Sequence, residues 1–165
     1  MTSAIEYAIS LVAARSWPEK KLRERIQMRF DRPDTDAAMA RLHELRMIDD
    51  AAWAERYISD RFQRSGRGRH RLQAELLARG VDARTASAVL DRVLSEDAER
   101  AKASAVLASL RSKPSGSADA AGEIELKGVP KGPRSTAQSE NARLFRRMIA
   151  RGFPSALVRD LLEVS

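Results

Sequence analysis

No cysteine occurs in the 165 residues, which excludes a disulfide scaffold, a thiolate zinc site and a cysteine nucleophile. Histidine is nearly as scarce: only His43 and His70 are present, too far apart for a metalloprotease helix. Aromatic residues are 5% of the chain, and glycine and proline number 8 and 6. Little therefore interrupts a helix, and alanine, the best helix former, is the commonest residue. No apolar run approaches the roughly 18 residues needed to span a bilayer. The N-terminus lacks the basic-then-apolar layout of a signal peptide. No Walker-type phosphate loop occurs, and Gly66-Arg67-Gly68 is not a dinucleotide fingerprint. The expectation is a soluble, cytoplasmic, all-helical protein that is not an enzyme and needs neither cofactor nor metal.

What the chain does have is positive charge. Thirty Lys and Arg stand against 23 Asp and Glu, a net charge of +7. With 43% hydrophobic and 32% charged residues, the balance is that of a folded domain rather than a disordered one. Residues 1–48, 49–95 and 96–165 carry +2, +2 and +3, so the excess is spread evenly along the chain. Within the middle third, however, Arg61 to Gly80 holds six arginines and a single acid, Glu75. Such a cluster attracts polyanions or an acidic groove on a protein.

Helix signals follow one another closely. Ile5, Ala8, Ile9 and Val12 fall at helical spacing, predicting a helix over 3–15. Ser16-Trp17-Pro18-Glu19 reads as a capping box with proline in the first turn, opening a helix over 17–29. Asp34 is the expected cap of a third helix burying Ala38, Leu42 and Leu45. Asp49 opens a fourth, with Ala54, Tyr57, Ile58 and Phe62 inward. After Ser65-Gly66-Arg67-Gly68 comes a fifth, marked by Leu72, Leu76 and Leu77 and ended by Gly80 in a left-handed cap. Asp82 starts a sixth with Ala86, Val89, Leu90 and Val93 inward, and Ser95 caps a seventh running to about Arg111. Residues 112–136 hold four of the eight glycines and three of the six prolines, which no regular helix tolerates. Glu123 to Val129 alternates polar and apolar. The expected form there is a flexible excursion with at most a small two-stranded β-hairpin. An eighth helix over 138–151 ends at Gly152, and Pro154 opens a ninth built on Leu157, Val158 and Leu161.

A repeat underlies this order. Leu72 to Val81 lies over Leu144 to Phe153, both closing on Ala-Arg-Gly and an apolar residue, and Leu22 to Phe30 is a weaker third copy. The period is 50 residues between the first two copies and 72 between the last two. The excess of 22 is about the length of the Gly/Pro-rich insertion. The predicted fold class is therefore all-α: an elongated, curved array of three tandem three-helix repeats over 1–48, 49–95 and 96–165, with the insertion at 112–136 in the third. In each repeat, three positions four apart on the second helix share a face. They read Lys21-Arg25-Arg29, Arg71-Glu75-Arg79 and Arg143-Arg147-Arg151, eight basic residues of nine. A solvated face of good helix formers accounts for this, and so does a ridge that meets a polyanion or a protein partner.

No catalytic constellation accompanies these features. Asp49-Asp50 could hold a metal or act in acid–base chemistry, but between two helices they read first as caps. Trp17, Trp53, Tyr57, Phe62 and Phe153 fall at apolar helical or staple positions and read as packing residues rather than base-stacking ones.

At this point the residues resemble a known family. Ile48-Asp49-Asp50-Ala51-Ala52-Trp53-Ala54-Glu55-Arg56-Tyr57 resembles the segment (L/I)DD..(F)A..Y of the RecX regulators of the RecA recombinase. Gly68-Arg69-His70-Arg71-Leu72-Gln73-Ala74-Glu75-Leu76 with Ala78-Arg79-Gly80-Val81 is similar to that family's G..(R/K)(L/I)..EL...G(I/V) core. The likeness extends to an opening helix at Tyr7–Arg15 and a closing unit at Leu144–Leu162. Trp53 departs from the usual Phe, Phe30 replaces the first unit's turn glycine, and the insertion departs from the pattern of the last unit. The resemblance implies a non-enzymatic regulatory protein of homologous recombination, DNA repair and the SOS response. It would be a RecA inhibitor that lies in the groove of the recombinase filament on single-stranded DNA and impedes ATP hydrolysis, strand exchange and co-protease activity. The implied partner is that filament, with direct DNA binding weak and non-specific, no membrane, and a monomeric protein. The residues expected to carry the contacts are Arg67, Arg69, Arg71 and Arg79, flanked by Lys21, Arg25, Arg29, Arg143, Arg147 and Arg151. Asp49, Asp50, Tyr57, Gly68, Glu75 and Leu76 occupy family-motif positions; a packing role for Tyr57 and an internal arginine partner for Glu75 fit equally well.

Two other readings stand beside this one. The fifth and sixth helices look superficially like a helix-turn-helix, the mark of a stand-alone DNA-binding protein. The sixth helix, however, offers only Arg84 and Arg92 for base readout. A structural helical adaptor would leave recombinase activity untouched.

Overall fold

The computed structural model describes residues 3–112 and 136–163. Among them are nine helices and no strand: α1 Ala4–Ala14, α2 Glu19–Gln27, α3 Arg32–Glu44, α4 Asp50–Ser65, α5 Arg69–Ala78, α6 Ala83–Val93, α7 Glu96–Ser112, α8 Thr136–Ala150 and α9 Ser155–Glu163. The hairpin expected within the Gly/Pro-rich insertion lies outside the described residues.

Short polar side chains set most of the starts. Ser3 and Glu6 form a reciprocal capping box on α1, and Asp49 and Asp82 accept from the amides of Ala52 and Thr85 at 2.8 and 2.9 Å. The Thr85 hydrogen bond holds the Asp82 carboxyl below its usual range. Ser95 caps α7 through the Ala98 amide at 3.2 Å. Two starts differ from the sequence reading. Asp31, not Asp34, caps α3, accepting from the Asp34 amide at 3.0 Å; Pro33 then sits in the first turn, where its missing N–H costs nothing. Ser16 caps nothing: α2 starts after Pro18, which has no side-chain acceptor.

The helices pack in threes around separate cores. Ala8, Leu22, Ile26, Ala38, Met39 and Leu42 fill the first, and Ala54, Ile58, Leu72, Leu76, Ala86, Val89 and Leu90 the second. Ala103, Leu107, Met148, Phe153 and Val158 fill the third. Each buried aliphatic side chain stabilises by roughly 1.5–3 kcal/mol. Cores this small gain from their neighbours, as in other repeat proteins.

The two joints between triplets use the same device. The second helix of a triplet lacks its own cap, and an acid from the first helix of the next triplet supplies it. The Glu19 amide opening α2 donates to Asp50 Oδ1 at 2.7 Å, and the Arg69 amide opening α5 donates to Glu99 Oε1 at 2.8 Å. Burial pushes the Asp50 carboxyl up; the Glu19 amide draws it back, while the nearby charges of Glu19, Asp82 and Asp49 raise it further. The glycine that ends the second helix is the other half of each joint. Gly80, with φ +91°, lies under the Lys20 stem, and Gly152, with φ +86°, lies under the Arg71 backbone. At the second joint two backbone segments also pair directly: the Gly68 amide donates to the Arg151 carbonyl at 2.8 Å and the His70 amide to the Gly152 carbonyl at 3.0 Å.

Candidate interaction face

The paired aspartates fulfil two capping roles, Asp49 on its own helix and Asp50 across the first joint. Among the described residues no group of His, Asp or Glu is placed to hold a metal.

The α4–α5 face gathers five of the predicted site residues, Tyr57, Arg67, Arg71, Glu75 and Arg79. Glu75, in the second half of α5 and mostly covered, accepts from Tyr57 Oη at 2.7 Å, from Arg67 Nη1 at 2.5 Å and from Arg71 Nε at 3.1 Å. Arg79 donates to the Glu75 carbonyl at 2.9 Å, and its guanidinium stands 4.5 Å from the Tyr57 ring centre, with Arg61 at 5.5 Å. Trp53 stacks on Tyr57 one turn away, ring centres 5.1 Å apart. The α5 spacing puts Arg71, Glu75 and Arg79 on one stripe, and Tyr57 on α4 closes it from the side. Burial alone would raise the Glu75 carboxyl, but the hydrogen bonds from Tyr57, Arg71 and Arg67 outweigh it and hold the pKa down. Burial and the bond to that carboxylate push the Tyr57 phenol up. The result is a carboxylate ringed by cations, a surface of net positive charge whose arginines are held in fixed directions rather than free to sample.

This wiring sets a pH dependence. A carboxyl whose folded pKa lies below its ordinary value near 4.5 stabilises the fold above that value and loses the contribution as pH falls through the folded pKa. Glu75→Gln is expected to unfold more easily than the wild type at pH 7, with the gap narrowing below about pH 4.5. Urea melts at a series of pH values measure it, and a gap constant down to about pH 3 would contradict the assignment.

The remaining predicted residues fall elsewhere. Arg69 is three-quarters covered and belongs to the second joint, donating to Asp91, to Glu99 Oε2 at 3.4 Å and to the Leu94 carbonyl at 3.0 Å. Burial alone would lower its pKa, but Asp91 and Glu99 raise it. In the first triplet Lys21 pairs with Glu24 at 2.7 Å, Arg25 is exposed near the Met28 sulfur, and Arg29 lies 5.1 Å from the Tyr7 ring centre. Phe30 packs against the same ring, centres 5.7 Å apart, filling the place where the other two triplets turn on glycine. Leu76 is a core residue. Arg143 is exposed, while Arg147 and Arg151 are half-buried and line a cleft at the second joint.

Sequence reasoning missed Glu99 as a joint residue, although a signal was present. Glu99 falls on the buried stripe of α7 with Ala103, Leu107 and Leu110, and an acid on an apolar stripe announces a buried partner. It also missed Lys102, whose ammonium donates to the Gln63 carbonyl across the same joint at 2.7 Å.

Comparison with known proteins agrees with this architecture. Residues 49–90, the heart of the second triplet, match the family model described as "RecX, second three-helix domain". The chain is 33% identical over 97 residues to the regulatory protein RecX of a strain of Thermus thermophilus, covering 59% of this chain and 67% of that one. With the regulatory protein RecX of Chlorobium phaeobacteroides the identity is 28% over 94 residues, covering 56% and 60%. The crystal structure of RecX from Lactobacillus salivarius superimposes with a TM-score of 0.77 over 98% of this chain and 93% of that one. A second RecX crystal structure gives 0.73 over 98% and 70%. At 13% and 12% identity these two speak for the fold. From its sequence and its three helical triplets, the chain belongs to the RecX family of regulatory proteins.

Proposed function

We propose that this protein regulates homologous recombination by binding along the groove of a RecA recombinase filament on single-stranded DNA, slowing its ATPase, strand exchange and co-protease activity. The observation that carries the reading is the membership of a family of regulatory proteins together with the repeated build of the chain. Three like units, here taken as 1–48, 49–95 and 96–165, suit a target that itself repeats. Each second helix bears basic residues on one face, and Leu77 and Ile149, at matching places on α5 and α8, stay 43% and 38% exposed. An exposed apolar residue beside held arginines is the composition of a protein-docking surface. A ligand that prefers one filament conformation shifts the filament toward it.

The helix-turn-helix reading fares worse. Helix α6 buries Ala86, Val89 and Leu90, and Arg92 is paired with Glu55 at 2.7 Å, leaving Arg84 as its one remaining arginine.

Substoichiometric protein is expected to suppress ATP turnover by recombinase filaments on single-stranded DNA, and R71E/R79E to lose that suppression. Unchanged turnover at several-fold excess of wild type would overturn the proposal.

A further inference from the structure

At the second joint, between the end of α4 and the α7–α8 pair, lies an open cleft of about 450 Å³. Four of its lining residues are cationic, Arg64, Lys102, Arg147 and Arg151, and among the described residues the lining holds no carboxylate. This is the reverse of the α4–α5 face, where Glu75 gathers the arginines to itself. The repeat explains the contrast: Arg147 stands 72 residues beyond Glu75, at the same place in the stripe, so the third copy carries a cation where the second carries its acid.

Some of these cations already have partners. Arg64 pairs with Asp60 at 2.7 Å, outside the lining, and Lys102 donates to the Gln63 carbonyl at 2.7 Å and lies 5.7 Å from the Phe62 ring centre. An ammonium has three donors and a guanidinium five, so one such bond leaves capacity for a ligand. What attracts an anion is the summed charge of the lining, since an anion competes with whatever partner each cation holds. Val106 and Leu110 on α7 add apolar surface to the lining.

We propose that this inter-unit cleft is a phosphate-holding site, occupied by the phosphodiester backbone of a single DNA strand. Choosing a strand over a free phosphate rests on the filament reading above. An open cleft with charges from three helices suits a chain of anions better than one enclosed ion.

Fluorescence anisotropy with a labelled oligothymidylate and the full chain, without recombinase, tests the site. K102Q/R151Q is expected to weaken binding about tenfold at low salt. The slope of log affinity against log salt should fall by about 1.4, since each contact to a single strand contributes about 0.7. Arg151→Lys, which keeps the charge, should retain most of the affinity and shows that charge rather than the joint is being read. Circular dichroism confirms that each variant is folded. Inorganic phosphate competing no better than chloride at equal ionic strength supports the strand; competition at sub-millimolar phosphate overturns it as the occupant. A folded K102Q/R151Q with unchanged affinity and slope overturns the site altogether. Because no recombinase is present, that failure leaves the filament reading standing, and loss of filament inhibition with intact strand binding does the opposite.

Discussion

Glu99→Ala is expected to destabilise the protein by about 3 kcal/mol, one of the largest effects of any single substitution here. The Glu99 side chain is 5% exposed and its partner Arg69 25%, so removing the carboxylate strips a mostly covered cation of its buried partner. Asp91 and the Leu94 carbonyl still hold Arg69, which keeps the cost toward the lower end for broken buried pairs. The same substitution leaves the Arg69 amide at the start of α5 without an acceptor, since Gly68 offers no side chain to replace it. For a chain of this length the unfolding midpoint should fall by roughly 6–12 °C. Glu99→Gln keeps an acceptor for the amide but loses the charge, and should cost about half as much. Differential scanning calorimetry gives both values, and hydrogen exchange should show the Arg69 amide exchanging faster in the alanine variant. A Glu99→Ala protein within about 0.5 kcal/mol of wild type would show that the joint draws nothing from this carboxylate.

Gly152→Ala should break the same joint from the other side. A left-handed residue without glycine costs on the order of 1 kcal/mol. Here the added Cβ would also fall on the Arg71 backbone, which cannot swing away as a side chain tip can. The Gly68–Arg151 and His70–Gly152 pairings must open to relieve the clash. The expected outcome is a third triplet released from the second, seen as a loss of about 2–4 kcal/mol and as an early unfolding phase that separates from the main transition. Limited proteolysis should then cleave the α6–α7 connection sooner. Gly80→Ala meets the Lys20 side chain rather than backbone atoms, but the contact reaches Lys20 Cβ at 2.5 Å, which moves only with its backbone, so the effect should be smaller than at Gly152 while still exceeding the left-handed strain alone. Equal effects at the two glycines would mean that the backbone contact is not what matters.

Both variants act through contacts between residues far apart in the chain, and this is where reading the sequence reached its end. The helix starts at Asp49, Asp82 and Ser95, the left-handed glycine at 80 and the helix end at Gly152 were legible because each depends on neighbours within about four residues. So was the repeat, through the recurrence of Ala-Arg-Gly. The cap of α2 was not, because its acceptor, Asp50, comes from the next triplet, and a local reading assigned the nearest hydroxyl, Ser16. The arginines show the same division. Their number and spacing are plain in the sequence, and Arg67, Arg69, Arg71 and Arg79 look alike there. Folding turns Arg69 into a joint, gathers the other three around Glu75 and Tyr57, and places Arg147 and Arg151 beside Lys102 in a cleft that no stretch of the chain contains by itself.

Periodicity and most of the capping residues thus determined nine helices among the described residues, and the Ala-Arg-Gly recurrence their order in threes, because helix formation and amphipathicity are decided within a turn or two. Which carboxylate meets which guanidinium was decided only by the tertiary structure. A charge pair forms wherever packing of the cores brings its two ends within reach, and that distance is set by the fold as a whole rather than by spacing along the chain.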